Sequence, residues 1–126
     1  MEATPSPHDA KSGTQHLTKE RCVPSKKGGP SLPRSEAIAL LEQVPGWRFT
    51  EDGKGIERHF VWKDFVAAMA FVNRMAEIAE ADQHHPDFAV SYRNVDVKLT
   101  THDVGGLSRN DFIVAAKLTQ IADAFI

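Results

Sequence analysis

Gln83-His84-His85-Pro86-Asp87-Phe88-Ala89-Val90-Ser91-Tyr92-Arg93-Asn94-Val95-Asp96-Val97-Lys98-Leu99-Thr100-Thr101-His102-Asp103 is the stretch from which the rest of the chain can be read. Phe88, Val90 and Tyr92 alternate with smaller or polar neighbours. Val95, Val97, Leu99 and Thr101 do the same, with Asp96, Lys98 and Thr100 on the other face. Alternation with a period of two is the mark of a half-buried strand. Arg93-Asn94 reads as the tight turn between them, since Asn tolerates the left-handed conformation. An antiparallel hairpin is therefore predicted, and a hairpin carries the chain out and back. Its return brings His102 to His84 and His85, so three of the six histidines meet at one end of a sheet. That end is the candidate active site.

Working outward, Pro86 disfavours the helical region for His85, so any helix before this stretch must stop there. The spacing predicts a helix from Phe65 to about Ala81, with Asp64 as its N-cap. Phe65, Ala68, Met69, Val72, Met75, Ala76 and Ala79 make one apolar stripe, the pattern of a helix packed on a core. Phe71 and Ile78 lie off that stripe and hint at a second apolar contact through the helix. Earlier still, Trp47–Thr50 and Ile56–Trp62 alternate as strands around an Asp52-Gly53-Lys54-Gly55 turn. Ile56, Phe60 and Trp62 share a face on which Arg58 is the exception, while His59 on the other face reads as an ordinary surface residue. A first helix is expected over about Pro33–Val44 from Ala37, Ile38, Leu41 and Val44, with Ser31 or Ser35 capping it and Pro45-Gly46 ending it.

After the hairpin, Gly105-Gly106 permits a bend. Ser108-Arg109-Asn110-Asp111 then resembles a capping box with Asp in place of Glu. It opens a last helix, about Arg109 to Phe125, with Phe112, Ala115, Leu118, Ala122 and Phe125 in a broad apolar face. The order is α-β-β-α-β-β-α. Two hairpins separated by a helix predict an α+β fold: one antiparallel sheet with three helices packed on one face. Its open edges and bare face lead us to expect a homo-oligomer.

With 126 residues, 41% of them apolar, one domain is expected. A net charge of −2 lacks the basic excess of a nucleic-acid surface, and no apolar run approaches the ~18 residues of a membrane span. Residues 1–31 are rich in Ser, Thr, Pro, Lys and Gly. They have too little apolar surface to offset ordering entropy, so a flexible or irregular tail is expected before a domain at 32–126. His8 and His16 in that tail read as solvated. No apolar segment suggests a secretory leader, and the single Cys22 has no internal partner, which fits a reducing cytoplasmic setting. Cys22-Val23-Pro24-Ser25 is half of a Cys-x-x-Cys pattern and carries no redox or zinc reading.

Paired histidines can donate and accept protons near neutral pH. Loss of water from a carbinolamine needs that pairing: the leaving hydroxyl gains a proton while the adjacent N–H loses one. No metal or redox cofactor is required, and the sequence has no Walker loop, dinucleotide fingerprint or nucleophile elbow. Two other readings stay open. The histidines could simply cap a helix end, or form a three-histidine zinc site, although adjacent residues rarely bind one metal and the helix lacks His-x-x-x-His spacing.

Glu80-x-x-x-His84-His85-Pro86, the aromatics Phe88 and Tyr92, and Thr101-His102-x-x-Gly105-Gly106-Leu107-Ser108 resemble the pterin-4a-carbinolamine dehydratase family. Gly46-Trp47 and Phe60-x-Trp62-x-Asp64-Phe65 extend the likeness, which covers roughly Leu32 to the C-terminus. The resemblance implies a lyase taking 4a-hydroxytetrahydropterin to quinonoid dihydropterin and water, which recycles the pterin of aromatic amino acid hydroxylases and links it to phenylalanine hydroxylase. It implies a four-stranded sheet, and a homodimer or homotetramer with no resident cofactor. His84, His85 and His102 would be catalytic. Gln83, Thr100, Thr101 and Asp103 would line the pterin site, Glu80 would orient it, and Phe88 would stack on the ring where many relatives have Trp. Animal relatives also act as dimerisation cofactors for a transcription activator, so a non-catalytic binding module is the alternative.

Overall fold

The computed structural model describes residues 16–125, so His8 and the first fifteen residues of the expected tail lie outside the described residues. A helical turn at 16–18 leads into an irregular segment and then helix α1 (Arg34–Leu41). Strands β1 (Arg48–Phe49) and β2 (Ile56–Val61), helix α2 (Phe65–Asp82), strands β3 (Asp87–Ser91) and β4 (Asn94–Leu99), a 3-10 turn (His102–Val104) and helix α3 (Arg109–Ala124) follow. The α+β class and the expected element order are both present. Among the described residues no helix is long and apolar enough to cross a membrane.

The sheet order is β1-β2-β4-β3, wholly antiparallel. The second hairpin places β4 in the middle, with Ile56 opposite Leu99 and Phe60 opposite Val95. Those side chains are buried and build the core with Phe71, Met75, Phe112 and Leu118 from α2 and α3. Asp87 pairs with Lys98. The residues just before β3 and just after β4 are therefore held at the same end of the sheet, as the alternation predicts.

Several local expectations need correction. The hairpin turn is Tyr92–Arg93: Tyr92 takes the positive φ of 54°, while Asn94 is already in β4 and donates its amide to the Ser91 carbonyl. The N-cap of helix α1 is Pro33, with no capping side-chain hydrogen bond, so neither Ser31 nor Ser35 serves. It buries Ala37 and Leu40, whereas Ile38 is exposed, because the helix contacts α3 along that other line. On α2, Phe71 is fully buried against Phe60, Trp62 and Phe125, and Phe65 and Ala76 are exposed. The stripe is rotated because the sheet's aromatics reach toward Phe71. Phe71 therefore belongs to the core and offers no second contact surface.

Arg58, the polar residue on an apolar face, closes the core at its rim. Its guanidinium lies 4.4 Å from the Phe60 ring centre, and burial lowers its pKa. Trp47 donates its ring N–H to Thr119 at 2.9 Å, a buried polar atom thus satisfied. Beyond the helical turn, residues 19–31 are irregular, but the segment is not loose. Leu17 is fully buried, and the Glu20 carboxylate takes two hydrogen bonds from Arg109. One well-placed leucine and a set of backbone hydrogen bonds supply here what composition alone does not reveal.

Candidate active site

Helix α2 ends one residue before the histidine pair by a left-handed turn at Gln83 (φ 52°, ψ 42°). The His84 N–H then reaches back to the Ala79 carbonyl at 3.1 Å, a Schellman-type closure. The stop expected from Pro86 is thus made two residues earlier by Gln83, whose side-chain amide also donates to the Glu80 carbonyl. This turn throws His84 inward and leaves His85 outward. His84 Nε2 lies 2.7 Å from Asp111 Oδ1, with the histidine side chain 12% exposed and the carboxylate fully buried. His85 Nε2 meets Glu80 Oε2 at the same 2.7 Å distance, but on the surface.

Asp111 is the residue that joins the two histidine motifs. It is N3 of helix α3, and the capping box expected from Ser108 and Asp111 is formed. Its Oδ2 accepts from the Ser108 N–H at 2.9 Å and from the Thr101 hydroxyl at 2.8 Å, while Oδ1 faces His84. One carboxylate therefore ties the end of α2 to the residue next to His102. An ionised carboxylate only accepts, so Nε2 of His84 carries its hydrogen and Nδ1 of the neutral ring keeps a free lone pair. The same reasoning applies to His85 and Glu80.

His102 opens the 3-10 turn, in a loop closed by the Thr101 N–H donating to the Gly106 carbonyl at 2.8 Å. Gly105 ends the turn at φ 66°, a conformation that glycine adopts without strain. The Thr100 hydroxyl donates to the Lys54 carbonyl at 2.6 Å and so links this loop to the β1–β2 turn.

A cavity of about 580 Å³ is lined by Gln83, His84, His85, Thr100, Thr101, His102 and Asp103, together with Cys22–Ser25, Ala81, Asp82 and Asn110. Seven of the nine residues singled out from the sequence thus share one cavity. Glu80 does not line it and reaches it only through His85. Phe88 is not among the lining residues either: on the edge strand β3 it is half exposed and borders a different cleft with Arg48 and Glu57. In the sheet register Phe88 lies opposite Val97, one residue further into the strand than Asp87 at the loop end. Among the described residues no three His, Cys, Asp or Glu side chains lie close enough together to hold a metal ion.

Sequence reasoning passed over two acidic residues here. Asp111 was legible as a cap, but not as the partner of His84. Asp82 is nearly buried and touches Lys117, Arg21 and the Cys22 N–H. Burial alone would raise its pKa, but the hydrogen bonds from Lys117 and Cys22 outweigh that and hold the carboxyl below its ordinary range. The other described histidines stand apart: His16 meets Glu20 at 3.6 Å on the surface, and His59 pairs with Asp96 on the outer face of the sheet.

A relative from Stenotrophomonas maltophilia (strain K279a) that carries the pterin-4-alpha-carbinolamine dehydratase name is 47% identical over 107 residues, covering 85% of this chain and 92% of that protein. One from Xanthomonas campestris pv. campestris (strain B100) with the same name is also 47% identical, over 85% of this chain and 91% of its own length. The crystal structure of a transcriptional coactivator/pterin dehydratase from Brucella melitensis superposes with a TM-score of 0.71 at 36% identity, covering 73% of this chain and 98% of that one. Residues 30–121, which hold the sheet, the histidine pair and the His102 loop, match the family described as Pterin 4 alpha carbinolamine dehydratase, and the chain belongs to that family.

Proposed function

We propose that this chain removes water from a 4a-hydroxytetrahydropterin by histidine acid/base catalysis, as a carbon–oxygen lyase, giving quinonoid dihydropterin. The single observation that carries the mechanism is the His84–Asp111 pair. With Nε2 donating to a buried carboxylate, the neutral ring offers Nδ1 as a base, and the carboxylate stabilises the imidazolium that forms. In the reaction the C4a–O bond breaks, the hydroxyl leaves as water after gaining a proton, and N5 loses its proton as the C4a=N5 bond forms. His84 takes the N5 proton, with His85 beside it. His102, on the exposed loop that also lines the cavity, supplies the proton to the hydroxyl. Gln83, Thr100, Thr101 and Asp103 hold the pterin, and Glu80 orients His85. Neither a metal nor a resident cofactor takes part, since pterin is the substrate.

Residues 32–126 would be the catalytic unit, acting in the cytoplasm as a homodimer or homotetramer. Phe65 and Val66, 50% and 75% exposed at the start of α2, support association through that helix. Such an enzyme would recycle the pterin of aromatic amino acid hydroxylases, phenylalanine hydroxylase among them. The same exposed helix start, with the coactivator name of the Brucella relative, supports a second reading as a dimerisation cofactor. Stopped-flow decay of the 4a-carbinolamine separates the two. Wild type should accelerate it and His102→Ala should lose most of that acceleration. No acceleration by wild type would favour the cofactor reading.

A further inference from the structure

Part of the cavity lining comes from residues 22–25, which precede residues 30–121, the part matching the family description, and fall within the 107 residues over which the Stenotrophomonas relative aligns. Cys22, Val23, Pro24 and Ser25 line the cavity, and their backbone is held at several points. The Val23 N–H donates to Asn110 Oδ1 at 3.1 Å, and Asn110 Nδ2 donates back to the Val23 carbonyl at 2.6 Å. This is a two-point clasp on the backbone by a buried amide of α3. The Cys22 N–H donates to Asp82. Further along, the Gly28 N–H donates to the Asp103 carbonyl at 2.7 Å, so the segment is also tied to the His102 loop.

The side chains contrast with that firm backbone. Val23 is 66% exposed and Pro24 is exposed as well, two apolar groups fixed at the edge of a polar cavity. A rigid backbone presenting open apolar groups into a cavity is what a flat ligand would cover, with little ordering cost on binding. No group here suits proton transfer, since burial pushes the Cys22 thiol up to about 12. Contacts of this kind act on bound substrate and transition state alike, and so change KM while leaving kcat alone.

We propose that residues 22–25 are a preformed wall of the pterin site, clasped by Asn110, against which Val23 and Pro24 pack the substrate ring. The proposal rests on the dehydratase function given above and assigns to this chain a binding element beyond the histidine motifs. Asn110→Ala frees the backbone, and Val23→Ser removes the apolar contact at an exposed position where folding is not at risk. In the full chain, each should raise KM for the carbinolamine about tenfold, with kcat within about twofold of wild type. Fluorescence titration with 7,8-dihydropterin, which needs no turnover, should show the same loss of affinity. Unchanged KM and affinity in Val23→Ser, or a fall in kcat at constant KM, would overturn the wall. A wild type that binds dihydropterin but does not dehydrate the carbinolamine would overturn the function instead, with the titration still deciding the wall.

Discussion

His84 with Asp111 and His59 with Asp96 are the same chemical pair in two surroundings. In the first, the histidine side chain is 12% exposed and the carboxylate 0%; in the second, the values are 49% and 63%. Asp111 spends its remaining acceptors on the Ser108 N–H and the Thr101 hydroxyl, so its position is set by three elements at once. Asp96 lies on an open strand face, where water competes for it and for His59. The Asp96 hydrogen bond raises the His59 pKa, yet the side-chain hydrogen bonds of His59, to Asp96 and Asn94, join only β2 and β4. A histidine–carboxylate contact therefore does not make a site. Burial and additional partners do, because they fix one geometry in a setting where solvent no longer screens the pair.

The largest effect should follow from removing the buried carboxylate. Asp111→Ala strips acceptors from His84, Thr101 and the α3 N-terminus, and should cost about 3 kcal/mol in urea unfolding, the scale of a broken buried pair. Asp111→Asn should cost less in stability but still depress kcat, because an amide cannot stabilise the imidazolium; equal kcat in the two forms would break the contrast. Next comes His84→Ala, expected to lower kcat about 10² to 10⁴-fold with a much smaller change in pterin affinity. His59→Ala should leave both unchanged. If His59→Ala proved as damaging, burial would not be the deciding difference.

Glu80→Gln tests the intermediate case, since the His85–Glu80 pair is 56% and 72% exposed. It should cost only a few-fold in kcat, because water replaces much of what the carboxylate does. The smallest effect concerns His59 alone. Its folded pKa is raised above 6.5, so the pair's contribution is complete below the unfolded pKa and is lost as pH rises through the folded value. NMR titration should find that raised pKa, and Asp96→Asn should bring it back toward 6.5 without moving the unfolding midpoint at pH 8.

Much of this was legible from residue patterns. The alternation of Phe88–Val90 and Val95–Leu99 was enough to bring His102 round to His84, because a hairpin's register follows from its turn and its buried face. Ser108 and Asp111 were legible as a capping box, since that motif is local. Tyr92 was not legible as the positive-φ residue: Asn94 had the better intrinsic tendency, but the strand pairing required Asn94 in the ladder. Phe71 could not be recognised as core, because its burial depends on Phe60 and Trp62 arriving from another element.

What the sequence by itself determined was the element order, the hairpin that gathers the histidines, and the residue types that suit proton transfer. These rest on periodicities and motifs spanning a few residues, and local sterics decide them. Only the tertiary structure decided that His84 is the histidine with a buried carboxylate, that Phe88 is not part of the cavity lining, and that Cys22–Ser25 is. Each of those depends on which atoms of distant segments meet and on how much water the meeting excludes. Asp111, Asn110 and Asp82 acquire their parts only when α2, α3 and the N-terminal segment pack together.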